Sequence, residues 1–90
     1  MFNEEKPYLT VLNIIKKAYK GFPLTISKEW ADQIIKDFEL TLEQRHYNPT
    51  GEKSALFEFE GETIRLERTW MGQYELYHGD WESDPHWTGD

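Results

Sequence analysis

Residues 55–70, reading A-L-F-E-F-E-G-E-T-I-R-L-E-R-T-W, alternate apolar with polar side chains on either side of a Glu60-Gly61 pair. Successive side chains of a β-strand point to opposite faces, so Ala55, Phe57 and Phe59 share one face while Leu56 and Glu58 take the other. Beyond the turn, Ile64 and Leu66 alternate against Thr63, Arg65 and Glu67. Gly61 suits the positive φ that a tight hairpin needs. A two-residue loop sets Phe57 opposite Ile64 and Ala55 opposite Leu66, whereas a slip by one residue would send Phe57 and Ile64 to opposite faces. The hydrophobic pattern therefore predicts the register. An isolated hairpin is marginal in water, so the rest of the chain has an apolar sheet face to cover.

Two helices are predicted to cover it. Over 4–20, Tyr8, Val11, Leu12, Ile15, Ala18 and Tyr19, followed by Phe22, recur at the three-and-four spacing of one helical stripe, which Leu9 and Ile14 widen. Pro7 fits a first turn, Gly21 a left-handed cap, and Pro23 blocks continuation. A second helix over 28–38 starts from Ser27 as N-cap, carries Glu29 and Asp32 near its positive end, and buries Trp30, Ile34, Ile35 and Phe38. Two short helices joined by a turn invite comparison with a helix-turn-helix DNA reader. Residues 28–38 hold no arginine and no basic excess, which excludes that role.

Residues 40–47 alternate as a strand does, although Phe38, Leu42 and Arg45 also fit a continuing helix. Asn48-Pro49-Thr50-Gly51 is a turn leading into the hairpin. After it, Trp70-Met71-Gly72 forms a three-residue loop with Gly72 left-handed, followed by a strand over 73–78. The expected fold is α+β: two N-terminal helices packed on one face of a four-stranded antiparallel β-meander, with strands over 40–47, 54–60, 63–69 and 73–78. This register puts Leu66 opposite Leu76, Arg68 opposite Tyr74 and Glu67 opposite Glu75. A two-residue loop at Met71-Gly72 would instead pair Arg68 with Glu75.

Ninety residues form one domain, 1–90, because two smaller cores would not offset the entropy of ordering their chains. The chain has no cysteine, hence no disulfide and no thiolate chemistry, and a reducing, cytoplasmic setting is expected. The N-terminus carries acidic residues where a signal peptide would be basic, and no apolar run approaches the ~18 residues of a membrane span.

The formal charge of −7 is unevenly spread: residues 1–20 carry four lysines against two glutamates, and residues 51–90 carry three basic groups against ten acidic ones. Such a field repels phosphate backbones, so the expected partner is a basic protein surface, with no direct nucleic acid and no membrane. A merely solubilising surface is the blander explanation. On the outer sheet face Glu58, Glu67 and Glu75, edged by Tyr77, join Glu60 and Glu62 at the turn. The tail, 79–90, adds Asp80, Glu82 and Asp84 together with Trp81 and Trp87, which either fold back or are presented to a partner. These eleven residues form the expected protein-binding surface. Its concrete version is an inhibitor in which carboxylates stand in for phosphates and a tryptophan anchors the contact, as small phage and mobile-element inhibitors of defence or repair enzymes do.

No phosphate loop, dinucleotide fingerprint or zinc-binding helix motif occurs, and no serine or threonine sits in a recognisable nucleophile elbow, so no catalytic residue and no cofactor is expected. His78, Asp80, Glu82, Asp84 and His86 recur every second residue, an arrangement that in an extended segment suits a divalent transition metal. Pro85 breaks that geometry, and the segment lacks the glycine of a calcium loop, so no metal ligand is assigned and a metal-binding small protein built on this segment stays an alternative function. His46 and His78 are read as strand-end residues making local hydrogen bonds, and Trp30 and Trp70 as core. Self-association through a strand edge with Leu56, Tyr47 or Tyr77 is the structural alternative to partner binding.

Overall fold

The computed structural model describes residues 6–44 and 52–79. It contains two helices and a four-stranded antiparallel sheet, an α+β arrangement, in the order α1 (Tyr8–Ile15), β1 (Leu24–Ile26), α2 (Lys28–Asp37), β2 (Lys53–Phe59), β3 (Glu62–Arg68) and β4 (Tyr74–His78). The strand order is β1-β4-β3-β2. No helix among the described residues is long and apolar enough to cross a membrane.

The central hairpin has the register its alternation predicts, with Phe57 opposite Ile64 and Ala55 opposite Leu66. Its turn places both Glu60 (φ 53°) and Gly61 (φ 84°) in the left-handed region, matching the twist of the flanking strands. The second hairpin pairs Leu66 with Leu76, Glu67 with Glu75 and Arg68 with Tyr74. The three-residue loop is therefore the one formed, with Gly72 at φ 88°. Its backbone closes through Thr69 N–H to Gln73 O (2.8 Å) and Gly72 N–H to Thr69 O (2.9 Å), and the Thr69 hydroxyl accepts from Gln73 N–H (3.1 Å).

The fourth strand differs from expectation. It is Leu24–Ile26, which pairs with β4 as Leu24 opposite Leu76, Thr25 opposite Glu75 and Ile26 opposite Tyr74. Three residues wedged between Pro23 and the Ser27 cap are too few to show an alternation, yet β-branched Thr25 and Ile26 suit a pleated surface. Of the segment 40–47, residues 45–47 lie outside the described residues. Its described part makes one bridge to the opposite edge of the sheet, Glu43 with Ser54, with both hydrogen bonds at 2.9 Å. The helix does not continue into it either. Glu39 takes φ 55°, Leu40 N–H returns to Ile35 O and Glu39 N–H to Lys36 O, a Schellman termination built on a residue other than glycine.

The first helix is shorter than its apolar stripe. After Ile15 the hydrogen bonds tighten, with Lys17 N–H to Ile14 O and Ala18 N–H to Ile15 O, so Tyr19 and Phe22 leave the helical face. Tyr19 becomes exposed, its ring edge-on to Phe22 at 5.4 Å. Ser27 caps α2 as predicted, accepting from Trp30 N–H at 3.1 Å. One hydrophobic cluster joins Tyr8, Leu12 and Ile15 of α1, Ala31 and Ile34 of α2, and Ile26, Phe57, Phe59, Ile64, Leu66, Tyr74 and Leu76 of the strands. Trp30 packs against this cluster, but Trp70, read from sequence as core, is 66% exposed at the tip of the β3–β4 loop. The three-residue loop needs a left-handed third residue and nothing more, so no packing constraint draws its first side chain inward.

Candidate functional site

The expected acidic surface divides into three parts. At the β2–β3 turn, Glu58 is exposed and accepts from the Thr63 hydroxyl at 2.9 Å. Glu60 is exposed on the turn and accepts from Lys16 Nζ, whose ammonium also lies 5.5 Å from the centre of the Phe59 ring. Glu62 faces His78 Nε2 at 2.8 Å. The other ring nitrogen of His78, Nδ1, contacts the backbone oxygen of Ala18 at 2.7 Å. A carbonyl and a carboxylate only accept, so both contacts are hydrogen bonds at once when each ring nitrogen carries a proton. The bond from His78, and to a smaller degree the positive charges of His78, Lys20 and Lys16, hold the Glu62 carboxyl below its ordinary range against a modest burial effect. The tightened end of α1 is what offers the Ala18 carbonyl to β4. Gly79 continues this corner at φ 88°, donating to Thr63 O at 2.7 Å, with the Lys20 side chain so close that a Cβ there would stand 2.8 Å from its Cδ.

The second part lies on the sheet face opposite the core residues, where Glu67, Glu75 and Tyr77 are half-buried. Arg65 is only 4% exposed. Its guanidinium lies 4.1 Å from the centre of the Tyr77 ring and 3.3 Å from Glu67 Oε1. Glu67, its side chain 14% exposed, is hydrogen-bonded to Glu52, and Tyr77 Oη–H donates to Glu75 Oε1 at 2.7 Å. Burial pushes the Glu67 carboxyl up to about 7. Arg65 opposes this, while the bond to Glu52 and the charges of Glu52 and Glu75 add to it. A bond between two carboxyl groups requires a proton on one of them, which agrees with that direction. Tyr77 is pushed up as well, first by burial and then by its bond to Glu75. Glu67, Glu75 and Tyr77 thus form a polar cluster around a stacked arginine, and Glu67 contributes less negative field near neutrality than an exposed carboxylate would. The register placed Arg65 opposite Tyr77 from the outset; the signal that could have revealed the cluster was one arginine among alternating glutamates, directly across from an aromatic.

The third part, Asp80, Trp81, Glu82, Asp84 and Trp87, lies outside the described residues, as do His46 and His86. Among the described residues no group of three or more histidine, aspartate or glutamate side chains is placed to hold a metal ion. Glu58, Glu60 and Glu62 lie at the turn end of the hairpin, with Glu58 on the sheet face opposite Glu62, while Glu67 and Glu75 pair further along the strands. Sequence reasoning did not single out the side chains at the opposite end: Trp70 and Met71, each about two-thirds exposed, and the cross-strand pair Lys53 and Arg68. The chain matches no protein-family model, no curated protein and no solved structure.

Proposed function

We propose that this chain is a small, non-enzymatic, cytoplasmic binding module that engages a basic surface on another protein through Glu58, Glu60 and Glu62. In this reading both helices cover the face that carries Phe57, Ile64, Leu66 and Leu76, leaving the turns and the opposite face for partners. The observation that supports it is the rigid turn. Glu60 lies on a two-residue loop with left-handed Glu60 and Gly61, Glu58 and Glu62 lie in the strands that flank it, and each carboxylate is held by a neighbour: Thr63, Lys16 and His78 for Glu58, Glu60 and Glu62. Carboxylates held in place lose little entropy on meeting a partner, and they favour fast, charge-steered association. Its concrete form is an inhibitor of a nucleic-acid-acting enzyme, encoded by a phage or mobile element, in which these groups occupy phosphate positions. Asp80, Glu82 and Asp84 extend the field in this reading, with Trp81 or Trp87 as the anchor.

The test is affinity enrichment at low salt with elution by a salt gradient, run beside a variant carrying Glu58→Gln, Glu60→Asn and Glu62→Gln. Asparagine before Gly61 suits the same turn, so the variant keeps the hairpin while losing its charge. A nucleic-acid enzyme that elutes with salt, is inhibited by the native chain and ignores the variant supports the reading. Affinity for the partner that is unchanged up to a few tenths molar salt rejects electrostatic mimicry.

A further inference from the structure

The far end of the molecule has the opposite character. The β3–β4 loop projects Trp70 and Met71, 66% and 64% exposed, from a backbone closed by the three hydrogen bonds around Thr69. Beside it, the last pair of the β2–β3 ladder sets Lys53 directly opposite Arg68, both exposed. Like charges in that position are destabilising. Neither side chain makes an ion pair among the described residues, although seventeen acidic residues are present in the chain. Lys28, at the start of α2, adds a third positive charge close enough to feel Arg68, and is itself bonded to Asp32 at 2.9 Å. An acidic chain thus keeps, among the described residues, a basic pair without an ion-pair partner next to the exposed Trp70.

We propose that Trp70, Met71, Arg68 and Lys53 form a second contact surface, separate from the acidic turn, that takes an acidic, apolar-containing segment of a partner protein. Tryptophan, methionine and arginine are the side chains enriched at the centres of protein interfaces, and a preformed loop loses little entropy on docking. Charge chooses among the partners. Two exposed cations on a chain of net charge −7 fall short of the roughly six to ten phosphate contacts that typify duplex binding. They are likewise fewer than the cluster of basic residues that holds a protein to an anionic bilayer. A peptide carboxylate pair flanking an apolar side chain needs only what this tip offers. The overall negative charge does not forbid it, because charges more than about 8 Å away are largely screened at physiological ionic strength.

The experiment selects a phage-displayed library of random twelve-residue peptides on the folded protein and measures recovered peptides by titration with backbone and indole NMR. Peptides rich in aspartate or glutamate with at least one large apolar residue, shifting Trp70, Met71 and Arg68, are the expected result. Trp70→Ala is expected to weaken them by about thirtyfold, as for an interface hot spot. Arg68→Glu separates a binding role from a structural one: opposite Lys53 it creates a favourable cross-strand pair, so thermal stability holds or rises while affinity falls at least tenfold. Recovery of only basic peptides, peptides insensitive to Trp70→Ala, or no peptide above background overturns the proposal. So does stronger perturbation of the tip by a twenty-residue oligothymidylate or by phosphatidylserine-containing vesicles than by any selected peptide.

Discussion

Glu62 and Glu67 belong to one seven-residue strand, yet one carboxyl is held below its ordinary range and the other is pushed up to about 7. Five positions apart, they point to opposite faces of the sheet. Glu62 stands at the strand's start, open to water on one side and bonded to a histidine that α1 holds from behind. Glu67 is enclosed with two further carboxylates, and the cationic Arg65 beside it does not outweigh the burial. Residue type decides neither outcome. Solvent access and the sign of the nearest partners do, and both follow from the strand's parity and register.

The two groups tilt stability with pH in opposite directions. The folded Glu67 carboxyl lies above its unfolded value of about 4.5, so the native state holds a proton that the unfolded chain has released. Its contribution is fully present below that value and is lost as pH rises through about 7. Glu67→Gln removes the ionisation while keeping an acceptor for Arg65. Urea unfolding is expected to show the variant more stable than the native chain by about 2–3 kcal/mol at pH 8, with little difference at pH 5. An equal offset at both pH values would mean that the carboxyl is not enclosed.

His78 tests the other side of the comparison, with a smaller effect. Replacing it by alanine leaves the Ala18 carbonyl and the Glu62 carboxylate without their donor. The expected loss at pH 6 is about 1–2 kcal/mol, the usual consequence of leaving a part-buried acceptor unsatisfied. Hydrogen exchange should localise the opening to the turns at 16–20, since the imidazole is what joins the end of α1 to β4. A uniform loss of protection across the sheet would instead show that His78 acts through packing.

These two corners were unequally legible in the sequence. The first hairpin's register followed from alternation, because only one pairing kept Phe57 with Ile64 on the apolar face, whereas the second was left with two loop lengths until the structure showed Leu66 opposite Leu76. The Glu67–Glu75 juxtaposition followed from the three-residue loop. That the cluster around it is enclosed did not, since enclosure depends on what covers a face and a strand's own pattern is silent on that. The bridge from His78 to Ala18 was beyond reach for another reason. It spans sixty residues and needs α1 to tighten after Ile15, where the apolar stripe promised another turn of regular helix. Leu24–Ile26 was hidden by brevity, and the exposure of Trp70 by the prior that tryptophan is core. What local periodicity encodes was readable; what tertiary packing assigns to short or polar segments was not.

The smallest expected effect comes from Glu62→Gln, and its sign completes the comparison. A depressed carboxyl contributes stability that is present above its unfolded value and lost as pH falls through its folded one. The amide keeps an acceptor for His78 but removes the charge, so the variant should nearly match the native chain near neutrality and lose stability less steeply on acidification. The acid limb will not become flat, because Asp37 is also held low, chiefly by the hydroxyl of Tyr8 donating at 2.6 Å with help from Lys6. Combined with Glu67→Gln, both tilts diminish together, and because the two sites lie on opposite faces with no shared partner among the described residues their effects should add. An acid limb that superimposes on the native curve would show that Glu62 gains nothing from His78 in solution, leaving the Ala18 bond as the whole of that corner's hold on α1.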